Sequence, residues 1–304
     1  MRLKYKILWI ENEEDWVDSI YDQIQEHLSN LGFEFEKKII AKEESVNYDE
    51  YDLILMDLNL AEQPNGAELI ERIRNLNVFT DIVFYSSVGI DRLREEGRKK
   101  NLEGVYYSGR TPDSSFVRKV CHVIDSTIKK VQDLSNLRGL VMAEVSDLDS
   151  IMDEIIRKYY VDQSLLDEFH NRVTKDRENT IKKTLNNEGL ACEKNCTLNW
   201  RQFDINELVK KIDSSLKVRA INILLEHQKK QGTVLYQSPN DKGFVDNYNK
   251  DIIKVRNNLA HCSSIIENGK EILKTRGGYL TFDTDVIIEI RKKIREYHDL
   301  FQKL

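Results

Sequence analysis

Apolar positions in the first part of the chain fall in short runs separated by stretches with helical spacing. "KYKILWI" (residues 4–10) and "YDLILMD" (51–57) are nearly continuous apolar runs, whereas "FEFEKKIIA" (33–41) alternates. "DIVFYSS" (81–87) and "EGVYYS" (103–108) complete five expected strands. Helical stretches lie between them at 13–31, near 66–76 and near 89–101, and another begins near 113. Strands alternating with helices imply βαβ units and a parallel sheet covered on both faces. The spacing predicts an α/β fold, a flavodoxin-like doubly wound sheet of five parallel strands.

Beyond residue 113 the pattern becomes all-α. "SSFVRKVCHVIDSTIKKVQDLSNLRGLVMAEVSDLDSIMDEIIRKYY" holds helical spacing with only Gly139 as a break, which predicts one long helix leading out of the first domain. Its apolar stripe suits either a core or a dimer seam. Further helices are expected at about 163–186, 205–231, 244–266 and 283–303, with loops at 187–204, 232–243 and 274–283. The C-terminal part is therefore read as a helical bundle.

A chain of 304 residues is long enough for two domains, and 40% hydrophobic with 32% charged residues describes a globular protein. No apolar run has the length of a membrane span, and the N-terminus enters a strand without a signal peptide, so a cytoplasmic protein without a membrane partner is expected. Cys121, Cys192, Cys196 and Cys262 form no disulfide framework, and the Cys192–Cys196 pair lacks a second pair at zinc spacing. Residues 1–125 carry 16 Lys and Arg against 25 Asp and Glu; the remainder carries 30 against 27. The acidic half suits a metal or a protein partner and repels nucleic acid. In the second half a polyanion needs a local patch such as Lys254 with Arg256, or the "RKKIR" run at 291–295, though that run reads rather as a solvated helix face. No Gly-rich phosphate loop, no serine elbow and no helix-turn-helix signature occurs, which speaks against DNA as a partner.

In a doubly wound sheet, ligands gather at the carboxyl ends of the strands. Glu11 and Asn12 end the first strand, Asp57 the third and Ser86 the fourth. Carboxylates from two strands meeting there suit a hard cation such as Mg2+, while each alone reads as a helix cap. Residues 4–125 resemble a response-regulator receiver domain, on "KILWIENEEDW" and "LILMDLNLAEQPNGAELIERIR". The resemblance implies phosphorylation at Asp57 by a sensor histidine kinase or other phosphodonor. It also implies Mg2+ held by Glu11, Asn12, Asp57 and the carbonyl of Asn59, an Asn65-Gly66 turn, and a switch made of Ser86, Tyr107 and Arg110. Two departures stand out. Asn12 replaces an acidic ligand, with Glu13 beside it, and Thr111 stands before Pro112 where the family has lysine, with Arg110 one residue earlier.

The second motif is "VRNNLAH". Asn257 and His261 share a helix face, and Arg256 lies about 140° around the helix from His261. "RNNLAH" resembles the R-x4-6-H motif of HEPN domains. That resemblance implies a homodimer with a composite site that cuts RNA through its own 2′-hydroxyl and needs no cofactor. Histidine suits general acid or base work at neutral pH, and arginine suits a phosphorane-like transition state. Arg256, His261 and Asn257 are the catalytic candidates, with Glu144 and Arg138 behind them. The expected layout is a receiver-like domain (1–128), a helical linker (129–145) and a HEPN-like domain (146–304). The expected function is a receiver-regulated endoribonuclease, a stress or phage-defence effector by resemblance. The alternative is a non-catalytic docking protein with a degenerate receiver and a nucleotide- or protein-binding helical domain.

Overall fold

A computed structural model describes residues 3–61, 64–130, 134–174, 203–267, 270–275 and 278–304. It divides into two compact units, one of residues 2–137 with 283–292 and the other of residues 138–282 with 293–304.

The first unit is built on β1 (Lys4–Ile10), β2 (Glu34–Ile40), β3 (Leu53–Asp57), β4 (Ile82–Ser86) and β5 (Val105–Gly109). All pair in parallel, in the order β2-β1-β3-β4-β5. The burial of each strand follows from its place. Every residue of β3 and β4 is buried, as interior parallel strands covered on both faces require. The edge strand β2 alternates, and its exposed positions include Glu34, Glu36 and Lys38, charges that discourage pairing with another edge. Helix α1 (Glu14–Asn30) buries Val17, Ile20, Ile24 and Leu28, one stripe at helical spacing. Helices α2 (Gly66–Asn75), α3 (Ile90–Lys99) and α4 (Asp113–Lys130) complete the layers. Because β1 and β3 are neighbours while β2 lies outside them, the sheet reverses direction at that pair. Their carboxyl ends therefore form the crevice of this topology.

Two glycines are fixed by close approach. Asn65 caps α2 by accepting the Glu68 N–H at 3.0 Å, and this brings Gly66 against the Asp57 backbone. A Cβ at Gly66 would sit 2.0 Å from the Asp57 carbonyl oxygen. In α3, a Cβ at Gly97 would sit 2.0 Å from the Tyr107 hydroxyl.

The second unit holds most of α5 (Leu134–Tyr159), then α6 (Gln163–Phe169), a π-helical turn (His170–Thr174), α7 (Ile205–Lys211) and α8 (Ser214–Lys230). Helix α9 (Phe244–Tyr248), a second π-helical turn (Asn249–Ile253) and α10 (Lys254–His261) follow; α11 (Thr284–Gln302) is divided between the units. Helix α8 buries Leu216, Val218, Ala220, Ile221, Ile223, Leu224 and Leu225, apolar on nearly every side, so it forms the centre of this unit. Tyr160 donates to the Ala220 carbonyl at 2.7 Å, tying α5 to that centre.

The helical class of this part holds, with four corrections to the expected elements. The stretch from 113 to 160 forms α4 and α5, and residues 131–133 lie outside the described residues. Gly139 is no break; it sits exposed inside α5. The helix expected at 205–231 divides because Asp213 takes an extended conformation and caps α8, accepting the Leu216 N–H at 3.1 Å. The helix expected to reach 266 stops at His261. There the chain enters an antiparallel meander of β6 (Ser263–Glu267), β7 (Lys270–Thr275) and β8 (Gly278–Thr281), which takes up much of the loop expected at 274–283. Cys192, Cys196 and most of the expected helix end at 186 and loop at 187–204 lie outside the described residues. No helix among the described residues is long and apolar enough to cross a membrane.

The two kinds of glycine have opposite expected effects in chemical denaturation. Gly66→Ala should destabilise the first unit by about 1–3 kcal/mol through the clash with Asp57. Gly139→Ala, with open space around it, should stabilise the second by roughly 0.5–1 kcal/mol.

Candidate functional site

Four side chains stand at the carboxyl edge of the sheet, delivered by β1, β3, β4 and β5 in turn. Glu11 follows β1 with no exposure, Asp57 ends β3, Ser86 ends β4, and Arg110 follows β5; all four are buried. A fully buried carboxylate needs partners, and Glu11 has them. Its Oε1 accepts the backbone N–H groups of Asn12 and Glu13, both at 2.9 Å. Its Oε2 accepts the Tyr85 hydroxyl at 3.0 Å, and that hydroxyl accepts the Trp9 indole N–H at 2.8 Å. Burial and the charge of Glu11 push the Tyr85 phenol well above its ordinary range, so it remains a donor.

Asp57 accepts the Asn59 N–H at 2.9 Å. Burial, then the neighbouring charge of Glu11, push its carboxyl up to about 7, against the opposing pull of the Asn59 N–H and Arg110. The Asn59 amide donates to the Ser86 hydroxyl at 3.3 Å, so these two site residues are in contact. The Arg110 guanidinium donates to Glu13 at 2.8 Å, lies 3.8 Å from Glu11 Oε2 and stacks 4.0 Å over the Trp16 ring. Tyr107 lies apart from this cluster. Its ring packs edge-on to Phe84 and its hydroxyl rests against Gly97 of α3. Tyr85, Trp9 and Trp16 were not singled out from sequence; the one available signal was a hydroxyl-bearing ring inside an otherwise apolar strand run.

The expected Mg2+ ligands do not make a ready set. Both oxygens of Glu11 are committed to the protein's own donors, and Asn12 is an exposed amide. That leaves Asp57, under the influence of the Arg110 charge, and the Asn59 carbonyl, a poor fit for a small divalent ion that demands six oxygen ligands. Among the described residues, no group of three or more His, Cys, Asp and Glu side chains is placed to hold a metal ion.

No family model matches the chain. It is 30% identical over 82 residues to the transcriptional regulatory protein ComA of Bacillus subtilis (strain 168), a match covering 27% of this chain and 38% of that protein. The N-terminal unit has a flavodoxin-like, doubly wound fold, a class that response-regulator receiver domains share. Similar solved structures include the Francisella response regulator 1452 receiver domain, 16% identical, with a TM-score of 0.33 over 42% of this chain and 100% of that one. The non-phosphorylated HemR receiver domain from Leptospira biflexa is 18% identical, with a TM-score of 0.32 over 40% of this chain and 94% of that one.

In the second unit, α10 carries the other candidates. Leu259 buries the helix, Arg256 is half-buried, and Asn257 and His261 face solvent. The Arg256 Nε is buried without a hydrogen-bond partner. Burial and Asp149 push the Tyr248 hydroxyl upward, and the charge of Arg256 opposes them. His261 ends the helix, and neither it nor Asn257 makes a side-chain hydrogen bond within the described residues. Arg138 reaches this point from α5, donating to the Cys262 carbonyl at 3.0 Å. Glu144 is half-buried on the same helix. On another face of the unit lies a cavity of about 360 Å³ lined by Tyr236, Asp251, Lys293, Glu296, Tyr297 and Lys303, among others. Its wall is pinned by buried Asn247, which donates to the Tyr236 hydroxyl at 2.9 Å, and Tyr297 donates to Asp251 at 3.2 Å.

Tyr85→Phe should cost about 1–3 kcal/mol in thermal or chemical unfolding, because it orphans the Trp9 indole and removes a donor from buried Glu11. The pH dependence of Asp57 has a definite sign. A folded-state carboxyl at about 7, above the ordinary 3.8, adds stability that is full below the unfolded value and lost as pH rises towards 7. Asp57→Asn should remove that decline, a difference on the order of 4 kcal/mol between its two ends, measurable as the pH slope of the unfolding free energy.

Proposed function

We propose that this chain is a signalling protein whose receiver governs a metal-independent endoribonuclease, active as a homodimer. The observation that carries the reading is the geometry of α10. Arg256 is half-buried while His261 stands in solvent at the helix end, so the motif of one chain supplies a single acid–base group. Cleavage by the RNA's own 2′-hydroxyl needs two proton transfers. One group takes the proton from the attacking 2′-oxygen as the new O–P bond forms. The other gives a proton to the 5′-oxygen as the old O–P bond breaks. Two copies of His261 across a dimer supply both. Arg256 stabilises the charge that builds on the phosphorane oxygens, and Asn257, on the face of His261, orients the phosphate. Arg138 acts on position, holding the carbonyl just past His261.

Receiver domains take a phosphoryl group from sensor kinases, and Asp57 is the residue that such a phosphodonor would modify here. The charge added at Asp57 would act on Ser86 and Arg110, and the output is a changed rate of RNA cleavage. By its parts the protein suits a cytoplasmic stress or phage-defence effector.

A second reading rests on the cavity of about 360 Å³, a volume suited to a small ligand. There the helical unit binds a nucleotide-sized molecule without catalysis and the receiver serves as a docking platform.

Incubating purified protein with RNA in excess EDTA separates the readings. The ribonuclease reading expects cleavage with 2′,3′-cyclic phosphate ends, lost by at least about a hundredfold in His261→Ala and Arg256→Ala, and fully active species no smaller than a dimer by light scattering. Cleavage that needs added Mg2+, survives in His261→Ala, or is carried out by monomers would contradict it.

A further inference from the structure

The cleft of the receiver unit already contains a cation. Arg110 is buried and fixed from three sides. It donates to Glu13 at 2.8 Å, lies 3.8 Å from Glu11, and sits over the Trp16 ring 4.0 Å from its centroid. Trp16 is itself held, donating its indole N–H to Asp113 at 3.0 Å and packing on Tyr85 and Phe116. Burial alone would weaken the guanidinium as a cation, but Glu13 and Glu11 outweigh it, and the net push is upward. The guanidinium is therefore a permanent charge at a fixed point.

The carboxylate a divalent ion would need is engaged elsewhere. Drawing Glu11 into a coordination sphere means breaking its bond from Tyr85 or its two backbone N–H bonds, in a place where water cannot replace them. The adjoining position offers the neutral amide of Asn12. An incoming ion would also be repelled by Arg110, which nothing on its three anchored sides lets retreat.

We infer that Arg110 takes the electrostatic place of a divalent cation, so that the receiver unit reaches its working state with no bound metal. Glu11 and Asp57 are balanced by a side chain of the protein itself. A phosphoryl group on Asp57 would find in Arg110 a planar, two-pronged donor for its oxygens. The inference concerns the receiver cleft alone and stands or falls independently of what the helical unit does.

The test is a titration of the purified full chain with Mn2+, reading free ion by its electron paramagnetic resonance signal. The wild type and Arg110→Lys, which keeps a cation, should leave the free signal intact through submillimolar Mn2+. Arg110→Gln keeps a shorter polar side chain but loses the charge, and it should bind Mn2+ at least about tenfold more tightly. That gained binding should vanish in Arg110→Gln/Asp57→Asn. Saturable submillimolar binding by the wild type would overturn the inference. So would a Gln variant as indifferent to Mn2+ as the wild type, or binding that persists in the double variant. The wild-type arm decides the matter even if a variant fails to fold.

Discussion

A carboxylate sealed from water at the end of a central strand sets the terms for the rest of the first unit. Glu11 is placed by the pairing of β1 with β3 and cannot be hydrated, so the protein must supply every partner it has. That requirement explains the Tyr85 hydroxyl inside an otherwise apolar strand and the Trp9 indole that steadies it. It also explains the turn that offers the N–H groups of Asn12 and Glu13, and the guanidinium fixed above them. Asp57, one strand over, then sits beside a negative charge in a dry place, and its carboxyl holds its proton far above the ordinary range. The charge state of the cleft is thus set by packing, and a modification at Asp57 enters a site that is already electrostatically closed.

Most of the first unit was legible in the sequence because its interior strands are buried on both faces. "LILMD" and "IVFYS" are continuous apolar runs for that reason, and their polar ends mark the crevice directly. The partnerships inside the crevice were not legible. Nothing in the spacing of Trp9, Trp16 and Tyr85 says that the first and last meet a carboxylate or that the second carries a guanidinium, since the sheet alone brings them together. Glu13 drew attention only as a substitute ligand, whereas it is the anchor of Arg110. Tyr107 was read as part of the switch, yet its niche is made by Gly97 in α3, a long-range contact that no local pattern reveals.

In the second unit the helices announced themselves through their apolar stripes, but the meander after His261 did not. Every position of β6 is exposed, so it shows no alternation between a buried and a solvated face, and its isoleucines extended the helical reading to 266. A local signal was present in the sequence, where Asn268-Gly269 is a dipeptide common in hairpin turns. The change of structure at Cys262 has a consequence for the motif. It makes His261 the last residue of its helix, one residue before the carbonyl that Arg138 holds, instead of a mid-helix side chain. The R-x4-H spacing shows which residues to consider; the helix end explains why the His261 side chain is exposed.

The most direct measurement of the cleft is the carboxyl carbon of Asp57 followed by nuclear magnetic resonance across a pH titration of the full chain. A buried carboxyl beside Glu11, with Arg110 as its compensating charge, predicts a midpoint near 7. A midpoint in the ordinary carboxylate range would mean that Asp57 is solvated or that Glu11 does not lie beside it, and would contradict the account.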